Sequence, residues 1–371
     1  MDSRLTAIAL VSFLSLIALR KVAIAINLVD KPSARKQHLG SIPLVGGIAI
    51  FTTISLFLIE TQVFGTLEPI FSTPLYLLCA GMLVLTGALD DRFDISVKSR
   101  LLIQLIVTLV MFKFCDIQLV TLGKIIGWGE LTFGSIASFI ITLLAVAGAI
   151  NAFNMVDGID GLLGGLATIT FSSMAYLFYF NGDIALYQFC LLIVFAILPY
   201  ILLNLGFPFG TRLKIFMGDA GSMFVGFTVV WLLLSGSQSI ESTFRPVTAL
   251  WLIALPLMDM AAIMIRRVRK GQSPFKPDRE HLHHICQRIG LSSKMTLLAI
   301  CCIAIGLASI GIIGEEYAIS ESIMFVSFIL MFACYYTAIC HIWRITTFVR
   351  KVNNLLTSTK NTSPISDGDH Q

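Results

Sequence analysis

The sequence predicts an all-α polytopic membrane protein with about eleven transmembrane helices. Of its 371 residues, 56% are hydrophobic and only 13% are charged, whereas soluble domains carry about 25% charged residues. The mean hydropathy is +0.87, and stretches of roughly 20 apolar residues, enough to cross a bilayer as a helix, recur along the chain. This composition excludes a soluble protein, and the net charge of +4 is too small to indicate a nucleic-acid partner.

Each predicted span is a run of apolar residues that ends at charged residues, glycine or proline. In chain order, the first span leads into a basic segment, the third and fifth run into acidic motifs, the eighth follows a glycine-flanked aspartate, and the ninth ends in an arginine pair. Some runs are shorter than a full span, so their helices are expected to extend further. The spans are predicted at approximately 5–26, 42–60, 75–89, 101–115, 136–153, 162–180, 184–203, 223–236, 247–265, 295–313 and 322–343.

The basic residues alternate between the two sides of the predicted bundle. Most of the 26 Lys and Arg residues fall in every second connection and in the C-terminal tail, and basic connections tend to stay in the cytoplasm. The pattern predicts a periplasmic N-terminus and a cytoplasmic C-terminus. Residues 1–343 are expected to form one integral-membrane domain, and residues 344–371 a cytoplasmic polar tail that is disordered after about residue 356.

The first candidate site motif closes the third span. It contains Asp90, Asp91 and Asp94, of which Asp90 and Asp94 are expected to share a helical face. A charged side chain at the centre of a membrane helix costs about 2.5–3.5 kcal/mol, and carboxylates this close repel one another. A bound divalent cation relieves the repulsion, so the motif indicates a metal site.

Two further motifs lie on the same predicted face. As the fifth span ends, a polar residue at every third position spreads over half of an α-helix, or lines up if the end tightens toward a 3₁₀ helix. Their amides and carboxylates suit a base and ribose. Before the eighth span, glycines flank Asp219, and the following helix N-terminus is expected to bind phosphate while Asp219 reaches a metal. The polar residues of the fifth span are Asn151, Asn154, Asp157 and Asp160.

A basic and histidine-rich segment follows the ninth span. Histidines so close together suggest zinc, but basic surroundings disfavour a cation, and imidazoles beside arginines suit a pyrophosphate or a sugar better. Asp259, inside the ninth span, either pairs with the basic end of that helix or joins the site. The segment comprises Arg266, Arg267, His281, His283 and His284.

Together the motifs resemble those of the polyprenyl-phosphate N-acetylhexosamine-1-phosphate transferases. They occur in the order found in that family, from about Asp30 to His284. The muramyl-pentapeptide branch has a lysine where Asp94 stands here, so the resemblance favours the N-acetylglucosamine branch. The matching segments are DKPSARKQH at 30–38, PLVGG at 43–47, GALDDRFD at 87–94, INAFNMVDGIDGL at 150–162, IFMGDAGS at 215–222, PLMDM at 256–260 and SPFKPDREHLHH at 273–284.

The resemblance implies a phosphoglycosyl transferase that uses Mg²⁺, with Mn²⁺ as the alternative. Its substrates would be UDP-N-acetylglucosamine and undecaprenyl phosphate, and its products undecaprenyl-diphosphate-N-acetylglucosamine and UMP. It implies an active site on the cytoplasmic face of the bacterial inner membrane, and the first membrane step of O-antigen and enterobacterial common antigen synthesis. A homodimer is compatible with the sequence.

The resemblance also implies roles for individual residues. Asp219 is expected to be the principal metal ligand, and Asp90 and Asp91 to bind the metal or to position the lipid phosphate. The catalytic set implied is Asp90, Asp91, Asp157 and Asp160. The substrate-binding set implied is Asn151, Asn154, Asp94, His281, His283, His284, Arg266, Arg267, Arg35, Lys36 and His38.

Two alternatives stay open at the level of sequence. The first is the same reaction with another UDP-N-acetylhexosamine. The second is an ion-coupled membrane transporter, which also combines many spans with acidic residues. Transporters tend to place ionisable groups near the bilayer midplane within repeated halves, whereas here the acids lie at helix ends and no internal repeat is visible.

Overall fold

A computed structural model describes residues 2–31, 40–64, 72–239, 242–275 and 280–341, which form an all-α protein. Long helices run back and forth, and the only paired strands in these ranges are two short ones. The strands are β1 Val29–Asp30 and β2 Ile42–Pro43. The helices are α1 Asp2–Ala25, α2 Gly46–Phe64, α3 Thr73–Phe93, α4 Val97–Phe114, α5 Ser135–Met155, α6 Leu162–Phe180, α7 Ile184–Asn204, α8 Gly218–Gln238, α9 Pro246–Leu252, α10 Ala254–Arg269, α11 Leu282–Ile289, α12 Ser293–Glu316 and α13 Glu321–Cys340, with a 3₁₀ turn at Gly210–Leu213.

The predicted fold class is confirmed. Within the described ranges, nine helices are long and apolar enough to cross a membrane, and the bent pair of α9 and α10 makes a tenth candidate. The remaining predicted span is α4, which has 18 residues and includes Lys98, Arg100 and Lys113. Each predicted span therefore corresponds to helix, and the protein is a multi-pass membrane protein.

The ninth predicted span is not one continuous helix. It divides into α9 and α10, whose axes differ by 80°. The prediction of an unbroken span was wrong because apolar composition does not report a local break in the backbone, which here falls at Ile253. A second difference is α11, which lies in a segment that the sequence predicted as a connection between spans.

Helix α8 lies at the centre of the bundle. Of its apolar stretch, 94% is buried, and it packs against α2, α3 and α5. A helix that is covered on all sides needs no polar face, so its apolar residues point in every direction. In α1 and α13 only 22% and 17% of the corresponding stretch is buried, which places these helices at the periphery, where membrane proteins contact lipid.

Glycines bring α8 close to its neighbours at one end of the bundle. A Cβ atom on Gly87 of α3 would lie 2.3 Å from the backbone nitrogen of Ala220, and one on Gly47 of α2 would lie 2.0 Å from Cα of Gly221. Glycine at such crossings permits backbone-to-backbone contact between membrane helices. The first turn of α8 is therefore held against both α2 and α3.

Backbone hydrogen bonds join the segments that enter α2 and α8. Strands β1 and β2 pair antiparallel, with Val29 opposite Pro43. Just beyond them, the N–H groups of Gly46 and Gly47 donate to the carbonyls of Phe216 and Met217 at 2.9 and 3.0 Å. The segment just before α2 and the glycine-flanked aspartate motif thus lie side by side, although they are far apart in sequence.

Candidate active site

A cavity of about 930 Å³ opens at the end of the bundle where α3, α5 and α7 finish and α8 begins. It collects carboxylates from three separate motifs, so the clustering that the sequence analysis predicted is present. We call it the acidic cavity. Its lining consists of Asp30, Leu44, Asp90, Asp91, Asp94, Arg100, Asn154, Asp157, Gly158, Ile159, Asp160, Asn204, Lys214, Phe216, Gly218, Asp219, His284, Gln287 and Ser293.

The carboxylate of Asp91 binds the N-terminus of α8. Its Oδ1 accepts a hydrogen bond from the backbone N–H of Asp219 at 2.9 Å, and its Oδ2 accepts one from that of Ala220 at 3.4 Å. A negative side chain at this position balances the positive end of the helix dipole. In this structure a side chain of α3 accepts from the two N–H groups, so phosphate binding by this helix N-terminus stays a prediction.

Asp90 and Asp94 also reach the acidic cavity, but they do not share a helical face. Asp94 has φ 51° and ends α3 in a left-handed conformation, so the helix does not continue through it as the spacing suggested. Asp90 is buried and lies 2.8 Å from Nη1 of Arg100, at the start of α4. This ion pair neutralises part of the negative charge at the end of α3.

The second motif divides between a helix and a turn. Asn154, in the last turn of α5, donates through Nδ2 to Asp219 Oδ1 at 2.6 Å and to Ser222 Oγ at 2.8 Å. Asp157 and Asp160 follow in the connection to α6 and line the cavity. Asn151 instead donates to the carbonyl of Ala147, one turn back in its own helix, and is not among the cavity-lining residues.

Asp157 lines the acidic cavity among other carboxylates. Partial desolvation by the surrounding protein raises the pKa of Asp157 to about 7, and the negative charges of Asp219 and Asp160 act in the same direction. A nearby cation would favour its ionised form again. The side chain therefore takes up or releases a proton close to neutral pH, in contrast to an ordinary surface aspartate.

Three further polar residues of the site were missed by sequence reasoning. Lys214 donates to Asp160 at 2.6 Å, and with Arg100 it brings positive charge into the acidic cavity. Asn204, at the end of α7, accepts from the N–H of Gly161 at 2.6 Å and donates to the carbonyl of Ile215 at 2.8 Å. No motif spacing connects these residues to the acidic clusters, so only their basic or amide character could have marked them.

The three histidines take different positions. His284 lines the acidic cavity, whereas His283 is buried beneath it, where a Cβ atom on Gly158 would lie 2.0 Å from its Nε2. Burial lowers the pKa of His283 to about 3, with His284 and His281 contributing, so its imidazole is neutral at pH 7. His281 is buried and its Nδ1 lies 2.7 Å from Asp259 Oδ2.

The arginine pair holds the segment that leads to the histidines. Arg266 forms a 2.9 Å ion pair with Glu280, and the buried Arg267 donates to the carbonyl of Pro274 at 2.5 Å. Neither lines the acidic cavity, so direct substrate binding by the pair, which the resemblance implied, is not supported by this geometry. Asp259 pairs with His281 and not with these arginines. The remaining predicted residues Arg35, Lys36 and His38, and the tail 344–371, lie outside the described residues.

The donor atoms of the acidic cavity fit Mg²⁺ better than zinc. In the part of the chain that the structure describes, no three His, Cys, Asp or Glu side chains form a ready-made metal cage. Mg²⁺ does not require one, because it usually keeps several waters and takes one or two carboxylates together with substrate phosphates. Asp219 interacts electrostatically with Asp90, Asp91 and Asp157, so negative charge is concentrated around it.

The fold and the site define a multi-pass membrane protein with a carboxylate-lined polar cavity at one end of its helix bundle. Residues 73–237 match the family described as glycosyl transferase family 4. The chain is 49% identical to undecaprenyl-phosphate α-N-acetylglucosaminyl 1-phosphate transferase of Yersinia pestis, covering 95% of this chain and 94% of that protein. The protein of the same name from Escherichia coli K12 is 48% identical, with 97% and 96% covered. That from Haemophilus influenzae is 47% identical, with 92% and 94% covered.

Identity of this degree over nearly the whole length shows the family. The chain belongs to the polyprenyl-phosphate N-acetylhexosamine-1-phosphate transferases, which are phosphoglycosyl transferases, and the resemblance drawn from the motifs is confirmed. The transporter alternative is left without support. The match to family 4 covers the motifs at the C-terminal ends of α3 and α5 and at the start of α8, whereas the histidine segment and α9 to α13 lie beyond it.

Proposed function

We propose that this protein transfers N-acetylglucosamine 1-phosphate from UDP-N-acetylglucosamine to undecaprenyl phosphate and releases UMP. The observation that carries the proposal is the meeting of three acidic motifs with Arg100 and Lys214 in one cavity at the end of the bundle. The names of the relatives supply the substrate classes. Transfer from another UDP-N-acetylhexosamine is the second candidate.

The proposed chemistry agrees with the charges in the acidic cavity. An oxygen of the lipid phosphate attacks the phosphorus that carries the sugar, the bond between that phosphorus and the bridging oxygen breaks, and UMP leaves. A phosphate monoester has its second pKa at about 6, so the nucleophile is largely ionised at pH 7 without a base. The main barrier is the approach of two anions, which cationic groups and a metal lower by electrostatic stabilisation.

Individual roles follow from the contacts. We assign Asp219 as the principal Mg²⁺ ligand, with Asp90 and Asp91 beside it, and Asp157 and Asp160 to the donor side of the acidic cavity. Bound Mg²⁺ would supply positive charge to the phosphate oxygens. Arg100 and Lys214 are placed to attract the phosphates. Trapping a phosphorylated Asp90 or Asp91 would replace this single displacement by a double one.

We further propose that the acidic end faces the cytoplasm of a bacterial inner membrane. Arg100, Lys214 and the arginines at the end of α10 all lie at this end, and basic segments favour the cytoplasmic side. The lipid product would then start O-antigen and enterobacterial common antigen assembly. Homodimer formation stays a prediction.

The experiment that tests the function measures UMP release by the detergent-purified protein with undecaprenyl phosphate and Mg²⁺. UDP-N-acetylglucosamine, UDP-N-acetylgalactosamine and UDP-muramyl-pentapeptide are compared as donors. We expect UMP from the first donor only, and only when the lipid phosphate is present. Release with the second donor alone would favour the other UDP-N-acetylhexosamine, and release with none by folded protein would contradict the proposal.

Removal of divalent metal should abolish UMP release, because the acidic cavity would bring carboxylates and phosphates together and the charges of Arg100 and Lys214 do not balance both. We expect EDTA to reduce the rate by at least about 1,000-fold, and Mg²⁺ or Mn²⁺ to restore it. Because a ligand that binds only the folded state stabilises it, Mg²⁺ should also raise the melting temperature of the wild type but not that of Asp219→Asn. Full activity in excess EDTA would rule out the metal.

A further inference from the structure

A buried polar cluster lies beside the acidic cavity without lining it. It consists of Asp259 of α10, His281, which immediately precedes α11, and Tyr335 of α13, the last helix in the described ranges. We call it the Asp259 cluster. Asp259 is only 2% exposed. A small apolar cluster packs against Tyr335 and is formed by the buried side chains of Ile263, Ile285 and Ile339. A carboxylate in such surroundings is stable only when its oxygens are hydrogen-bonded.

Three donors satisfy that carboxylate. Oδ2 lies 2.7 Å from Nδ1 of His281, while Oδ1 accepts from the hydroxyl of Tyr335 at 2.6 Å and from the backbone N–H of Leu282 at 3.1 Å. Because Asp259 accepts, Nδ1 of His281 carries the hydrogen, which fixes the orientation of the ring. The bond to Leu282 also satisfies the first backbone N–H group of α11.

From His281, contacts lead directly to the acidic cavity. The rings of His281 and His283 are parallel within 3°, with centroids 5.9 Å apart, and those of His283 and His284 are 4.2 Å apart. His283 packs against Gly158 in the turn that carries Asp157 and Asp160. His284 and Gln287, both on α11, line the acidic cavity. The position of α11 therefore decides where these side chains stand.

We propose that Asp259 and Tyr335 are positioning residues that hold His281 and the start of α11, so that helix α13 sets the affinity for the sugar-nucleotide donor. This inference rests on the proposed function. Neither residue touches the reacting atoms, and both lie beyond the part of the chain that matches family 4. The hydroxyl of Tyr335 acts through Asp259, and Asp259 acts through His281 and Leu282.

The test compares Tyr335→Phe with Tyr336→Phe. Both variants remove one hydroxyl from the same turn of α13, but the Tyr336 ring lies under the Arg269 guanidinium, 5.3 Å from its carbon. The Tyr336 hydroxyl bonds to Arg269 and Cys340, and only the Tyr335 hydroxyl bonds to Asp259. We therefore expect Tyr335→Phe to raise KM for UDP-N-acetylglucosamine about fivefold, with kcat and the KM for undecaprenyl phosphate within about twofold. We expect Tyr336→Phe to behave like the wild type.

A second variant acts on the centre of the cluster. Asp259→Asn keeps an oxygen for Tyr335 and Leu282 but presents an amide N–H to Nδ1 of His281, which forces the other tautomer. We expect KM for the donor to rise about 30-fold, since His281 loses the acceptor that fixes the orientation of its ring. An unchanged KM in folded Asp259→Asn would overturn the proposal.

Hydrogen exchange supplies a readout that does not depend on the reaction. The amides of Leu282–Ile289 should exchange faster in Tyr335→Phe than in Tyr336→Phe or the wild type, because α11 loses part of its anchor. Equal exchange and equal KM in the two tyrosine variants would refute positioning by Tyr335, as would a lower melting temperature with unchanged KM. If the wild type releases no UMP, the proposed function fails, and the exchange comparison alone decides whether the cluster holds α11.

Discussion

Asp219→Asn is expected to abolish UMP release while leaving the protein folded. Its Oδ1 accepts from Asn154 Nδ2 at 2.6 Å, and the oxygen of a substituted amide can accept the same bond. What disappears is the negative charge at the point where the three acidic motifs meet. Because that charge is assigned to the metal, we expect the rate to fall by at least about 1,000-fold.

The thermal stability of Asp219→Asn, in contrast to its activity, should not decrease. Asp219 repels Asp90, Asp91 and Asp157, so removing its charge relieves repulsion in the protein without metal. We therefore expect a melting temperature without Mg²⁺ that equals or exceeds that of the wild type, and a pKa of Asp157 that moves down from about 7 toward its ordinary value. Functional sites often retain such unfavourable contacts because activity requires them.

The matched control is Asp116→Asn. Asp116 follows the opposite end of α4 and accepts from the side chain of Gln118 at 2.9 Å, away from the acidic cavity. Its substitution should leave UMP release within about twofold, since isolated surface changes have small effects. Retention of more than about a tenth of wild-type activity by folded Asp219→Asn would be incompatible with the role assigned here.

Gly87→Ala is expected to have the second largest effect, although it adds only a methyl group. That group would lie 2.3 Å from the backbone nitrogen and 2.4 Å from Cα of Ala220, and neither backbone can yield without moving a helix. Gly87 is one turn before Asp91, whose carboxylate binds the N-terminus of α8. Separating α3 from α8 would therefore draw the carboxylates of the two helices apart.

Both activity and stability should fall in this variant. Forcing extra volume into a packed contact costs about 1–3 kcal/mol of folding free energy, and a displacement of about 1 Å at a catalytic site lowers the rate on the order of 100-fold. UMP release and thermal unfolding of purified protein measure the two effects.

Gly81→Ala is the control in the same helix. A Cβ atom there would meet only the ring of Phe51, with Cζ at 3.4 Å and Cε1 at 4.0 Å, which are ordinary contacts. Because alanine favours helix more than glycine does, we expect unchanged activity and equal or slightly higher stability. If Gly81→Ala and Gly87→Ala behaved alike, the close approach of α3 and α8 would not be what positions the site.

The sequence predicted most of the helices because a bilayer imposes a simple requirement on each of them. A span must be apolar over its length and must satisfy its backbone internally, so composition alone located α5, α6, α7 and α12 to within a few residues. The break between α9 and α10 escaped, because both halves are apolar and only the backbone conformation at Ile253 separates them. Helix α11 escaped because it is short and polar on one side.

For the site, sequence reasoning identified residues whose chemistry is unusual at a helix end. Carboxylates near a membrane cost free energy and are therefore expected mainly where they have a function. This reasoning singled out Asp90, Asp157 and Asp219. Arg100, Lys214 and Asn204 were not singled out, because single polar residues at helix ends are common and their relevance depends on which partners they meet. Asn151 was expected in the acidic cavity by its spacing, but its side chain bonds to its own helix.

The sequence by itself therefore determined that the chain is a helical membrane protein, which family it belongs to and which motifs carry charge, because these properties reside in composition and local order. Only the tertiary structure decided that Asp91 binds the start of α8, that Arg100 pairs with Asp90, and that Tyr335 reaches Asp259 across 76 residues. Each of those contacts joins different helices, and a pattern read along one chain does not specify which helices meet. The physical reason is that helix packing is settled by shape, such as the glycine contacts around α8, and shape appears only when the helices are assembled.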